Sequence, residues 1–303
     1  MISNSVMVSM IVTIVLAAAG IIVPFVMIYI TARKKETGSF ASFGLGILAY
    51  FWSQYLLPFP IIYIMMKFKG FMTIFSNDRY YVVYILITAL LLGVLGTLGR
   101  LWCVWLMNKR TPSVYRAMCS GIGFAVFGAG SIVLSYITYF KYSGLINSGG
   151  AAALSDYLKT GNANVTQDSI DNVVSQLQQA RVTDITFEGI NVVMVIVVEI
   201  AFAAFIYEGL IRNKKWKAAA VCAGINTVYS FLTMLLSSLS QDKMGNLVSK
   251  TVGNGYMLIC GLVAAWFVYG ALIRYRQAVK EGPYAQKAYF EKMDEAEKIK
   301  GLL

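Results

Sequence analysis

Seven long apolar runs divide this chain, and they leave few folds open to it. They cover roughly Val6–Ile30, Phe43–Met66, Tyr81–Met107, Ala117–Phe140, Gly189–Ile211, Ala218–Leu239 and Tyr256–Ile273. About 20 apolar residues in a helix cross the hydrocarbon core of a bilayer. No water there satisfies backbone N–H and C=O groups, so only helices and closed barrels span it. Runs this long and unbroken predict helices. The fold class is therefore all-α: a polytopic membrane protein with seven transmembrane helices, residues 1–273 forming one membrane domain. At 58% hydrophobic and 14% charged, the composition is too apolar for a soluble globule.

Lys and Arg predict the orientation. The first run has no basic residue before it, but Arg33, Lys34 and Lys35 follow it. That pattern is a signal-anchor, since a cleaved leader wants a basic start and a shorter apolar stretch. Alternate connections on that same side collect Lys109, Arg110 and Arg116, then Arg212, Lys214, Lys215 and Lys217, then the basic residues of the tail. The positive-inside rule places the N-terminus out and the C-terminus in, and the expected location is a bacterial cytoplasmic membrane. The net charge of +11 is mostly this topology signal, and its scatter over short loops argues against nucleic acid as a partner.

Two segments are predicted outside the bilayer. Residues 141–186 face outward and begin loosely at Ser148, Gly149 and Gly150. Ile170, Val173, Val174 and Leu177 then recur at helical spacing, with Asp168 or Ser169 as the cap. This is a short amphipathic helix that caps the bundle or lies on the membrane. Residues 274–303 alternate Glu and Lys in a manner suited to a solvated cytoplasmic tail helix.

The chain has no histidine. This removes the commonest general base and metal ligand. Cys103, Cys119, Cys222 and Cys260 lie inside apolar runs without a CxxC pair, and they read as packing residues. No metal, no cofactor and no catalytic residue is predicted. Polar groups at membrane depth are costly, so each is a candidate functional residue. Arg100 in span three lies about 10 Å from the cytoplasmic end of its helix, at about 1.5 Å per residue. Glu199 in span five lies about 18 Å from the same side, on the same scale. Gln54, Asn191, and Asn226 with Ser230 add hydrogen-bonding groups. Depth and sign make Glu199 the candidate partner of Arg100, either as a helix-locking ion pair or as a substrate or proton site. Span three carries Gly93, Gly96 and Gly99, and span four carries Gly121, Gly123, Gly128 and Gly130. Small residues let membrane helices approach closely, so these spans are expected to pair along their glycines.

Gly93–Arg100 (GVLGTLGR), the basic turn NKRTPSVYR and Gly121–Gly128 (GIGFAVFG) resemble the YhfC family. These are multi-span bacterial membrane proteins in the superfamily of type II CAAX-processing proteases, PrsW-like proteases and the APH-type subunit of γ-secretase. The Ser53-Gln54 pair, the outward segment and the order of spans also fit. The resemblance implies a site with paired glutamates ahead of an arginine in span three. It also implies a histidine and glutamate in span four, and a histidine with an acid four residues on in a later span. Here the glutamates fall on Gly96 and Thr97, and Arg100 is kept. The span-four pair falls on Phe124 and Gly128, and the later pair on Asn226 and Ser230. These vestigial-site residues are expected to converge in one cavity. The resemblance thus implies a degenerate member without its acid/base set. Three function classes remain. One is a catalytically inactive protease-like protein that binds or scaffolds a membrane protein or membrane peptide. The others are a small-solute transporter or carrier using Arg100 and Glu199, and an active intramembrane protease with a displaced site.

Overall fold

The computed structural model describes residues 1–33, 39–76, 80–108, 112–161, 165–239 and 246–280. Every regular element among them is helical. In chain order these are α1 (Asn4–Arg33), α2 (Ser39–Phe51), α3 (Pro58–Met65), α4 (Lys69–Ser76) and α5 (Tyr81–Asn108). Then come α6 (Val114–Gly161), α7 (Gln167–Gln179), α8 (Val182–Ile211), α9 (Lys215–Leu239) and α10 (Asn246–Lys280). Seven stretches are long and apolar enough to cross a membrane. They are Asn4–Thr31, Phe40–Met65, Tyr81–Met107, Val114–Thr160, Val182–Ile211, Lys215–Ser238 and Lys250–Ala278, and each contains most of one predicted run. Large apolar side chains lie exposed on them, such as Trp266 at 76% and Leu134 at 67%. Such a surface suits a hydrocarbon solvent rather than water. The chain is a multi-pass helical membrane protein.

The second span is not one regular helix. Between α2 and α3, Trp52–Leu56 widens into a π-helical turn, and the Leu57 N–H reaches the Trp52 carbonyl at 3.0 Å. Pro58 explains the widening. It has no N–H to return to the Gln54 carbonyl, and its ring would crowd that carbonyl in a regular helix. Pro58 instead opens α3 at its first position, where no donor is needed. The wide turn buries Ser53 completely and leaves Trp52, Tyr55 and Leu56 facing outward. Turns of this kind recur at functional sites because they re-aim side chains.

The chain divides into two compact units. The first comprises Met1–Val23 and Phe127–Val193. Its apolar core joins Val6 and Met10 of α1, Tyr136 and Leu154 of α6, Ile170 and Leu177 of α7, and Ile185 of α8. The amphipathic segment is therefore α7, with Ile170 and Leu177 buried. Its cap is Thr166, not Asp168 or Ser169. The Thr166 hydroxyl accepts the Ser169 N–H at 3.4 Å from an extended backbone, as an N-cap must. The loose start expected at Ser148, Gly149 and Gly150 is a short break within a helix. α6 stays helical to Gly161 and breaks only at Gly149 and Gly150, where Gly150 takes φ +67°. Asn147 ties down the chain start, accepting from the Ile2 N–H at 2.6 Å and donating to the Ile2 carbonyl at 2.9 Å.

The second unit comprises Pro24–Val126 and Met194–Leu303. The expected tail helix from Arg274 begins as the last turns of α10, and residues 281–303 lie outside the described residues. The glycines of spans three and four do not face each other as expected. A Cβ at Gly93 would meet Thr227 of α9, one at Gly99 would meet Ser53, and one at Gly121 would meet the Glu199 carbonyl of α8 at 2.7 Å. One at Gly123 would strike the Phe43 carbonyl, and one at Gly46 the Ser120 carbonyl. Glycine spacing marks a face of close approach but carries no information on which helix approaches. α5 uses its glycines toward α9 and the π turn, and α6 uses its glycines toward α2 and α8. Gly128, in the first unit, has nothing within 4 Å of its Cβ position.

Candidate functional site

The second unit holds a charged cluster at membrane depth. Arg100 is 4% exposed. Its Nε donates to Glu199 Oε2 at 2.7 Å, and its Nη2 donates to Glu199 Oε1 at 2.6 Å. This is a two-pronged guanidinium–carboxylate pair, the strongest geometry for such a contact. Aromatic rings cover the guanidinium. Its carbon lies 4.1 Å from the Phe124 ring centre and 5.1 Å from that of Phe202. Phe202 sits three residues after Glu199, so one face of α8 delivers both the carboxylate and the ring. Phe124 is 2% exposed and meets Tyr50 edge-on at 5.0 Å. Ala49 and Cys103 complete the apolar packing behind it.

Amide side chains stand on the other side of Arg100. Gln54, presented by the π turn, donates from Nε2 to the Leu92 carbonyl at 3.2 Å. Asn226 on α9 donates from Nδ2 to the Gly93 carbonyl at 3.3 Å. Gly96 lies between them. A Cβ there would stand 2.5 Å from Gln54 Nε2, 3.2 Å from Arg100 Nη1 and 3.5 Å from Asn226 Nδ2. Arg100 Nη1 itself is buried without a hydrogen-bond partner, as is Ser53 Oγ one turn along the same seam.

Of the residues singled out from sequence, the unit brings Gln54, Gly96, Arg100, Phe124, Glu199 and Asn226 together. Thr97 is buried on the neighbouring face of α5, where its hydroxyl donates to Cys222 Sγ at 3.8 Å. Ser230 is half-buried one turn beyond Asn226. Gly128 and Asn191 belong to the first unit, where Asn191 is half-buried. Sequence reasoning missed Phe202, which reads as one more apolar residue in an apolar run. It also missed a second ion pair, in which Arg274 Nε of α10 donates to Glu208 Oε1 of α8 at 2.8 Å. A depth count from the other helix ends would have found that pair.

The model of the YhfC intramembrane metalloprotease family matches residues 19–253, well over half of the 303. The chain belongs to the YhfC family. No curated protein and no solved structure matches it. The YhfC description implies a metal, and the described residues do not fit one. No group of three or more His, Cys, Asp or Glu side chains comes together among the described residues, and the chain has no histidine. The nearest carboxylate, Glu199, spends both oxygens on Arg100. A fixed guanidinium cation beside it repels a second cation. A general base needs a free lone pair near the water it activates, and both oxygens of Glu199 already accept from Arg100.

Proposed function

We propose that this YhfC protein is a catalytically inactive relative of intramembrane proteases that binds or scaffolds another membrane protein or a membrane peptide. The observation that carries this reading is the two-pronged Arg100–Glu199 pair under Phe124. The ring of Phe124 stands where the family resemblance places a histidine, Gly96 and Thr97 stand where it places paired glutamates, and the arginine it keeps is held by Glu199. The vestigial set is Gly96, Thr97, Arg100, Phe124, Gly128, Asn226 and Ser230. Peptide hydrolysis needs an activated nucleophile and a donor aimed at the developing oxyanion. Asn226 supplies a donor of that kind, but no residue of the set activates water. A protein with binding geometry and no base holds its ligand without cutting it.

The test compares membrane-peptide profiles of cells carrying wild-type protein with those carrying Glu199→Gln, with protein levels followed in both. The expected result is one and the same profile, because no cleavage depends on Glu199. A fragment that disappears with Glu199→Gln while protein levels hold would overturn the reading and establish a displaced active site.

The same proposal places the protein in a bacterial cytoplasmic membrane, N-terminus out and C-terminus in. A tag at the N-terminus should label from outside intact cells, and one at the C-terminus only after permeabilisation. The reverse pattern would overturn the orientation and put the basic connections on the wrong side.

A further inference from the structure

We propose that the seam around Gly96 is a binding site for a carbonyl oxygen of an uncharged ligand. The proposal deepens the binding reading above and names the group that would be bound.

Its basis is a buried donor without a partner, with two amide donors beside it. Arg100 Nη1, Gln54 Nε2 and Asn226 Nδ2 surround the side-chain position of Gly96 at 3.2, 2.5 and 3.5 Å. The amide orientations are fixed, because each nitrogen donates to a backbone carbonyl of α5, and an amide oxygen turned there would face another acceptor. Each amide spends one N–H on that carbonyl and keeps a second. Nη1 of Arg100 has no partner, although the residue is 4% exposed. Ser53 Oγ, 2.7 Å from the Cβ position of Gly99, is likewise buried without a partner. Buried donors left unmade are costly, more so on a charged group. Arg100 Nη1 and Ser53 Oγ, in one seam, thus call for an acceptor that neither receives from the chain.

The charge of the cluster selects the kind of acceptor. Glu199 already balances Arg100. A carboxylate ligand would leave an uncompensated negative charge at membrane depth, whereas a carbonyl accepts the same N–H groups and adds none. A peptide amide and a lipid ester both carry such an oxygen.

Purified protein in mild detergent tests this in two ways. The first supplies the acceptor in cis. The three atoms nearest the Gly96 Cβ position are all side-chain ends, so a new side chain there meets side chains first. Asn and Leu are close in size, and only Asn brings a carbonyl. Gly96→Asn should melt at or above the wild-type temperature, and Gly96→Leu below it. Equal losses in both, failure of both to fold included, would overturn the inference, since the seam would then respond to volume alone. The second titrates wild-type protein with N-methylacetamide, methyl acetate and acetate. One or both neutral carbonyls should raise the melting temperature, and Gly96→Asn should abolish the rise. The amide as the better probe would point to a peptide, and the ester to a lipid. A response to acetate alone, or the same rise in Gly96→Asn, would overturn it. None of these outcomes bears on cleavage, so the site can fail while the inactive-protease reading stands.

Discussion

Glu199→Ala should lower the stability of this protein by about 3–5 kcal/mol, the usual loss when one partner of a buried ion pair is removed. The guanidinium of Arg100 cannot release its charge. Without Glu199 it would sit between Phe124 and Phe202 with every N–H on that edge unmade. Arg100→Ala should also lower it, since it leaves the Glu199 carboxylate buried without its partner. The double variant should be less damaged than the sum of the singles, since each alone bears the penalty of an unmatched group. Arg274→Ala gives the internal comparison. Its pair with Glu208 is more open, with side chains 27% and 12% exposed against 3% and 12% for Arg100 and Glu199. A smaller loss is expected there. Thermal melts in mild detergent, run as a double-mutant cycle, would measure all four. Additive losses at Arg100 and Glu199, or wild-type melting in either single variant, would show that the pair does not hold the helices together.

The spans were legible because the bilayer demands one thing of each: a long apolar helix. Each predicted run therefore lies almost wholly within one helical span, although α6 runs on to Gly161 past Phe140, α8 starts at Val182 ahead of Gly189, and α10 extends past both ends of Tyr256–Ile273. The contents of the site were legible in part. Depth along each helix and sign of charge led from Arg100 to Glu199, because few ionisable groups lie so deep in apolar runs. The second ring on Arg100 was not legible. Phe202 differs from its neighbours only by where the helix face turns, and an all-apolar run has no polar face to mark that direction. Pro58 lies inside the second run, but nothing in the letters says that the helix there becomes a wide turn burying Ser53. The Thr166 cap was missed for a local reason. Thr166, Asp168 and Ser169 are all competent caps by residue type, and the backbone angle at Thr166, φ −81° and ψ 153°, decides among them.

Glycine contacts divide into two kinds, which gives the second large expected effect. Around Gly96 the neighbours are side-chain ends. Around Gly46 and Gly123 they are backbone: the Ser120 carbonyl against Gly46, and the Phe43 carbonyl with the Gly46 Cα against Gly123. α2 and α6 thus cross main chain on main chain, as small residues at membrane helix interfaces permit. Side chains can change rotamer, whereas helical carbonyls are held in their own hydrogen bonds. Gly123→Leu or Gly46→Leu should therefore cost about 3 kcal/mol or more, at or beyond the upper end of the overpacking range. Gly44→Leu is the control on the same helix, because nothing lies within 4 Å of its Cβ position. It should melt close to wild type, with a small gain from helix propensity. The wedge has a consequence beyond stability. Phe124 follows Gly123 directly, and the backbone of Gly121 rests against that of Glu199 and Ile200. Pushing α6 away from α2 moves the ring that covers Arg100 along with the helix that meets Glu199. Gly123→Leu should then weaken the coupling between Arg100 and Glu199 in the double-mutant cycle, and Gly44→Leu should leave it intact. Equal melting of the Gly44, Gly46 and Gly123 variants would mean that α2 and α6 do not approach as closely as their glycines allow.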